Sequence, residues 1–171
     1  MENVFLIGFM GSGKSTIASY LAENYGMEMI DMDQLIVERE GMSIPNIFTQ
    51  KGELYFRDVE TNLLIEIQTE QNRVVSCGGG VVLREKNVQA MKKCGQIVLL
   101  NAKPETILER VKDDDNRPLL RGNKNIQFIR DIMETRCPKY EGAADFVVDT
   151  DGKSADIICK EIIQKIEKTG V

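Results

Sequence analysis

The residues able to do chemistry begin at position 8. Gly8-Phe9-Met10-Gly11-Ser12-Gly13-Lys14-Ser15-Thr16 fits G-x-x-x-x-G-K-[ST], the pattern of a phosphate-cradling loop. Glycines at 8, 11 and 13 lack Cβ atoms, so the backbone can take positive φ and approach a phosphate closely. Successive N–H groups then converge as an anion nest, and the helix that follows adds its positive end. Lys14 supplies a mobile charge for the β- and γ-phosphates, and the Ser15 hydroxyl suits Mg²⁺. A glycine-rich turn without function is the bland alternative. The apolar run Val4-Phe5-Leu6-Ile7 before the motif and the helical pattern after it disfavour that reading.

Further along come groups that could serve an acceptor. Asp31-Met32-Asp33 follows a second apolar run, so two carboxylates would face the phosphate loop. Such an aspartate can take a proton or a hydrogen bond from a hydroxyl, or hold Mg²⁺. Either one can instead cap a helix starting at Gln34. Gly78-Gly79-Gly80 follows a third run. Three glycines in succession are costly unless the backbone must run against a ligand; the other reading is a flexible hinge. This strand lacks a terminal acidic residue, so Ser76 and Asp31 are expected to serve Mg²⁺ in its place. Arg57, taken alone, reads as a solvated charge, with bidentate capture of a carboxylate as the functional alternative. Arg136 reads as dipole compensation in a last helical turn ended by Pro138. Residues 112–122 are polar and charged, the signature of an exposed loop. A lid carrying arginines to a transferring phosphoryl is the alternative, with Arg117 favoured because Pro118 restricts its backbone.

The elements that must position these groups are legible as periodicity. Strand candidates at 4–7, 27–31, 74–77, 97–100 and 146–148 alternate with helical stripes. One stripe is Val59, Leu63, Leu64 and Ile67, a second is Ile126, Ile129, Ile132 and Met133, and a third runs from Ile157 to Ile166. Continuous apolar strands alternating with helices predict an α/β fold with a parallel sheet covered on both faces. Ligands then bind beyond the carboxyl ends of the strands.

With 171 residues, 42% of them hydrophobic, the chain is expected to form a single domain. A net charge of −5 argues against nucleic acid. No run approaches the roughly 18 apolar residues of a membrane span. The first strand starts by residue 4, which leads us to expect no signal peptide and a cytoplasmic protein. An even spread of charge makes a monomer the default. Cys77, Cys94, Cys137 and Cys159 form no C-x-x-C pair, so free thiols are expected. The sequence contains no histidine, which excludes Ser-His-Asp and Cys-His chemistry.

The ordered set of motifs resembles a shikimate kinase from residue 4 to about residue 153. After residues 8–16 and Asp31-Met32-Asp33 it continues with Ser43-Ile44, Ile47-Phe48, Gly52-Glu53, Phe56-Arg57 and Glu60. Gly78-Gly79-Gly80, Arg117-Pro118-Leu119-Leu120, Arg136, Tyr140 and Ala144-Asp145 complete it. The resemblance implies a three-layer P-loop kinase fold with a five-stranded parallel sheet, a substrate-binding segment around 32–60 and a lid around 112–124. It implies transfer of the ATP γ-phosphoryl to the 3-hydroxyl of shikimate, with Mg²⁺ as cofactor. Gly11, Ser12, Gly13, Lys14, Ser15 and Thr16 would hold ATP, with Ser15 and Asp31 at the metal. Asp33 would meet the reacting hydroxyl, Arg57 and Arg136 the carboxylate, and Gly79 the ring hydroxyls. Lys14, Asp33 and Arg117 would be catalytic, with Arg117 reaching ATP from the lid and Arg110 and Lys153 flanking adenine. Cys77 departs from the pattern, standing where a small residue such as threonine or alanine is frequent. The alternatives are a gluconate-kinase-like enzyme, whose acceptor would also suit these arginines, and a nucleotide-binding module without kinase activity.

Overall fold

The five apolar runs become five parallel strands in the computed structural model, which describes residues 1–112 and 125–170. They are β1 (Asn3–Ile7), β2 (Glu28–Asp31), β3 (Arg73–Ser76), β4 (Gly95–Asn101) and β5 (Phe146–Asp149). The order across the sheet is β2-β3-β1-β4-β5, and every neighbouring pair is parallel. Among the described residues the helices are α1 (Lys14–Tyr25), α2 (Met32–Glu40), α3 (Ile44–Lys51), α4 (Glu53–Ile67), α5 (Glu85–Lys92), α6 (Pro104–Val111), α7 (Ile126–Ala143) and α8 (Ala155–Thr169).

Strand alternation divides the core in two. Val4 and Leu6 of β1, Val74 of β3 and Val98 and Leu100 of β4 pack with Ile17, Ala18 and Leu21 of α1 and Ile158 and Ile162 of α8. Phe5, Ile7, Val75, Ile97 and Leu99 point the other way, into a larger cluster with α4, α5 and α7. Successive side chains of a strand face opposite sides, so strands apolar at every position must be covered on both.

The sheet order also opens a crevice. β1 lies beside β3, yet the chain leaves β1 for α1 on one face and leaves β3 for α5 on the other. The loops following these two strands part, as at a topological switch point. The phosphate-loop motif and the glycine triplet occupy those two loops.

Two expectations need correction. The helix after Asp31 starts at Met32 rather than Gln34, and its N-cap is Asp31, which accepts from Gln34 N at 3.1 Å. Pro138 does not end a helix. α7 runs through it to Ala143, so Arg136 stands in the helix interior instead of its last turn. Pro138 and Glu134 are both exposed, so the carbonyl deprived of its i+4 donor can bond water, and buried Tyr140 and Ala143 hold the remaining turn. The four cysteines are free, as expected.

Ile97 is fully buried at the middle of the sheet. Ile97→Ala is expected to cost about 2–5 kcal/mol, read as a lower denaturant midpoint with an unchanged m-value. A loss within about 0.5 kcal/mol would contradict this account of the core.

Candidate active site

The phosphate loop takes the shape its glycines allow. Gly8, Gly11 and Gly13 have φ of 147°, 80° and 96°, values that disfavour a side chain. Lys14 Nζ donates to the carbonyls of Gly8 at 2.8 Å and Phe9 at 3.1 Å, so the ammonium lies within the curl of its own loop. Arg110, from the last turn of α6, donates from Nη1 to the Gly11 carbonyl at 3.0 Å.

Beside the loop, Ser15 Oγ donates to Asp31 Oδ2 at 2.6 Å and lies 3.1 Å from Ser76 Oγ. Because the Ser15 proton goes to Asp31, the Ser76 hydroxyl is the donor of the second bond. Asp31 therefore both caps α2 and hydrogen-bonds the end of the phosphate-loop motif at Ser15. These oxygens suit a hard cation such as Mg²⁺. Among the described residues no cluster of three or more His, Cys, Asp or Glu offers a complete cage. Few protein ligands is the pattern expected where phosphate and water supply the rest.

A cleft of about 670 Å³ runs from Gly11, Lys14 and Arg110 past Asp31 and Asp33 to Gly79. The glycine triplet forms its inner end and is packed against charge. A Cβ on Gly78 would stand 2.8 Å from Glu60 Oε2 and 3.0 Å from Asp33 Oδ1, and one on Gly80 would fall on the Arg57 guanidinium. A Cβ on Gly79 would sit 3.5 Å from Arg136 Nη1. The backbone must run close here, and much of what it runs against is the site's own side chains. The Tyr140 phenol donates to the Gly79 carbonyl and fixes this turn from α7. Burial pushes that phenol above its ordinary range, which keeps it a donor.

Arg57 is not a solvated charge. It is buried at 8% exposure, with its guanidinium over the Phe56 ring at 5.2 Å and the Phe48 ring at 6.0 Å. Nη1 donates to Glu60 Oε1 at 3.2 Å and Nη2 to Glu53 Oε1 at 3.3 Å, while Nε has no partner. Arg136 is also buried, with Nη1 lacking a partner. Buried donors without acceptors are expensive, and two guanidiniums in this condition suit a planar anion.

Glu60 is fully buried, and its second oxygen, Oε2, has no partner. Burial pushes its carboxyl up to about 7, with Arg57 opposing and the Asp33 charge reinforcing the shift. Sequence reasoning placed Glu60 within a turn of Arg57 but assigned it no role. The available signal was the i, i+3 spacing of opposite charges.

The comparisons with known proteins bear on what such a cleft accepts. A model of the family described as shikimate kinase matches residues 10–167. The chain belongs to the shikimate kinase family. A shikimate kinase of Persephonella marina is 43% identical over 97% of this chain and 99% of its own length. One from Thermodesulfovibrio yellowstonii is 39% identical over 98% and 96%. A solved shikimate kinase from Acinetobacter baumannii, in complex with shikimate, superposes with a TM-score of 0.94 at 35% identity, covering 99% of this chain and 94% of that one.

The structure brings together Gly11, Gly13, Lys14, Ser15, Thr16, Asp31, Asp33, Gly79 and Arg110 as the walls of the cleft. Ser12 is buried beneath the loop. Arg57 and Arg136 are buried behind that lining, Arg136 against Gly79 and Arg57 against Gly80. Lys153 is apart from the cleft lining and pairs with Glu161 at 2.8 Å. Arg117 and the lid expected at 112–124 lie outside the described residues, except for Lys112 at the end of α6. The Cys77 thiol is fully buried, and burial raises it, so it fills space beside the triplet without ionising.

Gly80→Ala tests the inner end. The clash falls on the far end of a flexible side chain, so the backbone can stay while the Arg57 guanidinium is displaced. Some stability is expected to be lost because buried Glu60 loses its partner, and in the folded variant affinity for a carboxylate ligand should weaken about tenfold or more, measured by calorimetric titration. Unchanged affinity would remove Arg57 from the binding site.

Proposed function

We propose that this chain transfers the γ-phosphoryl of ATP to the 3-hydroxyl of shikimate. The observation that carries the reading is one crevice lined by a phosphate loop, Asp33 and Gly79, with two buried arginines that keep open donors directly behind its glycine turn. The arginine pair supports an acceptor with a carboxylate, and the solved relative with shikimate bound points to the same class. Membership in the shikimate kinase family makes a gluconate acceptor and a mere nucleotide module the weaker alternatives.

In this reading residues 11–16 hold the phosphates through backbone N–H groups and Lys14. Phosphoryl transfer needs positioning and charge neutralisation more than covalent chemistry. Asp33 orients the acceptor hydroxyl and receives its proton late. Arg57 and Arg136 fix the far end of the ring through its carboxylate, and Gly79 borders the ring hydroxyls. Mg²⁺ would be held by Ser15 and Asp31, where it neutralises phosphate oxygens. Arg110 supports the nucleotide side from its bond to Gly11, while Arg117 and Lys153 are assigned on the resemblance alone.

We also propose a single domain, with acceptor-binding segment 32–60 and lid 112–124, acting as a cytoplasmic monomer that binds neither nucleic acid nor membrane. No helix among the described residues is long and apolar enough to cross a membrane. Among the described residues the exposed large apolar side chains are few, namely Met1, Leu54, Tyr55, Ile65, Leu83, Val147 and Ile157, which favours a monomer.

ADP release that depends on shikimate, followed in a coupled assay, tests the reaction; its absence from folded protein would sink the proposal. Lys14→Ala is expected to lower turnover by on the order of 10²-fold or more, and near-normal turnover would take Lys14 out of the mechanism. Arg136→Ala should chiefly raise KM for shikimate and leave ATP binding close to normal. A parallel loss of ATP affinity would place Arg136 on the nucleotide side.

A further inference from the structure

Among the described residues, carboxylates already stand beside the buried arginines at the inner end of the cleft before any acceptor arrives. Arg57 and Arg136 stand against Asp33 and Glu60 around the glycine triplet. Arg57 is engaged on both terminal nitrogens, by Glu60 and by the exposed Glu53. An incoming carboxylate adds an anion beside the fully buried Glu60. If it displaced Glu60 from Arg57, it would leave a fully buried carboxylate unpaired, and uncompensated buried charge is strongly disfavoured.

We infer that the acceptor's carboxylate enters this cluster together with a proton, taken from solvent by Glu60. The inference rests on the functional reading above and adds to it a proton linkage on the acceptor side. Glu60 is suited to the role by position. It is fully buried, its Oε2 has no partner, and Oε1 alone faces Arg57. Protonation on Oε2 would neutralise Glu60 and leave Oε1 as an acceptor for Arg57. Glu53 keeps its charge where water screens it, at 57% exposure.

The groups facing Glu60 from each side set the direction. On its own helix Arg57 favours the ionised form. Arg84, at the start of α5, does the same, while Asp33 on α2 opposes it. The Cys77 thiol beyond β3 and the Tyr140 phenol on α7 are both raised by burial and stay neutral. Burial dominates and holds the free-state carboxyl near 7. Below that value Glu60 already carries its proton, so binding takes up none. Above it, uptake approaches one proton per ligand until the pH passes the still higher value of the bound state.

Calorimetric titration of the full chain with shikimate, in buffers of different ionisation enthalpy, reads this directly. At about pH 8 the slope of heat against buffer enthalpy should approach about one proton taken up, and at about pH 5.5 it should be near zero. Between about 7 and 8 the affinity should weaken with rising pH, tending to about tenfold per unit. Glu60→Gln preserves shape and removes the titration, so uptake at about pH 8 should vanish. Clear binding with no uptake at either pH, or with equal uptake at both, overturns the inference and leaves the function standing. Uptake that persists in folded Glu60→Gln also overturns it. Should that variant not fold, a wild-type midpoint in the lysine or ordinary carboxylate range does the same. No binding of shikimate at all overturns the functional reading, and this inference with it.

Discussion

Parallel pairing is the constraint on which the site depends. Because β1 lies between β3 and β4 and all run the same way, every strand ends on one side of the sheet. α1 and α5 then leave β1 and β3 toward opposite faces. The phosphate loop and the glycine triplet therefore flank a crevice that neither could form alone. β2, paired with β3, ends at Asp31 and leads into α2, which brings Asp31 and Asp33 to the same edge. Remove the parallel register and the motifs remain in the sequence with nothing to bring them together.

The second determinant is burial of charge at the end of that crevice. Arg57 is held by two phenylalanine rings, two glutamates and a glycine backbone that leaves no room for a side chain at 80. A buried ion pair is weak evidence for stability, because desolvation offsets the attraction. Its cost makes better sense as preparation for a ligand. The arginines are desolvated in advance and keep donors open, so in the proposed reading an acceptor would not have to strip and order them on arrival.

Much of this was legible in the chain. The glycine spacing at 8, 11 and 13 and the apolar runs identify strand, loop and helix, since both rest on local backbone demands. Asp31 was harder, because a helix cap and a loop-facing carboxylate look alike in sequence, and here the residue is both. Pro138 misled because a proline in a helix interior is costly on average. Its tolerance depends on which face meets water, a tertiary fact. Arg57 and Arg136 read alone as ordinary basic residues. Their burial is set by Phe48, Phe56, Gly79 and Gly80, which come from separate parts of the chain. Glu60 had spacing in its favour, but its lack of a second partner is invisible without coordinates.

Arg136 and Tyr140 lie one turn apart on α7, and Tyr140 holds the turn at Gly79 that borders Arg136. In the proposed reading the acceptor end is assembled by α2, α4, α7 and the glycine turn, while the phosphate end belongs to β1 and α1, with α6 lending Arg110. The two ends touch where Met10 N lies 3.6 Å from the position a Cβ on Gly79 would take. A chain built this way could exchange one acceptor for another chiefly by altering α2, α4 and α7 while keeping the phosphate loop. In that sense the crevice is a seam between substrate choice and phosphoryl chemistry, closed where Met10 packs on Gly79.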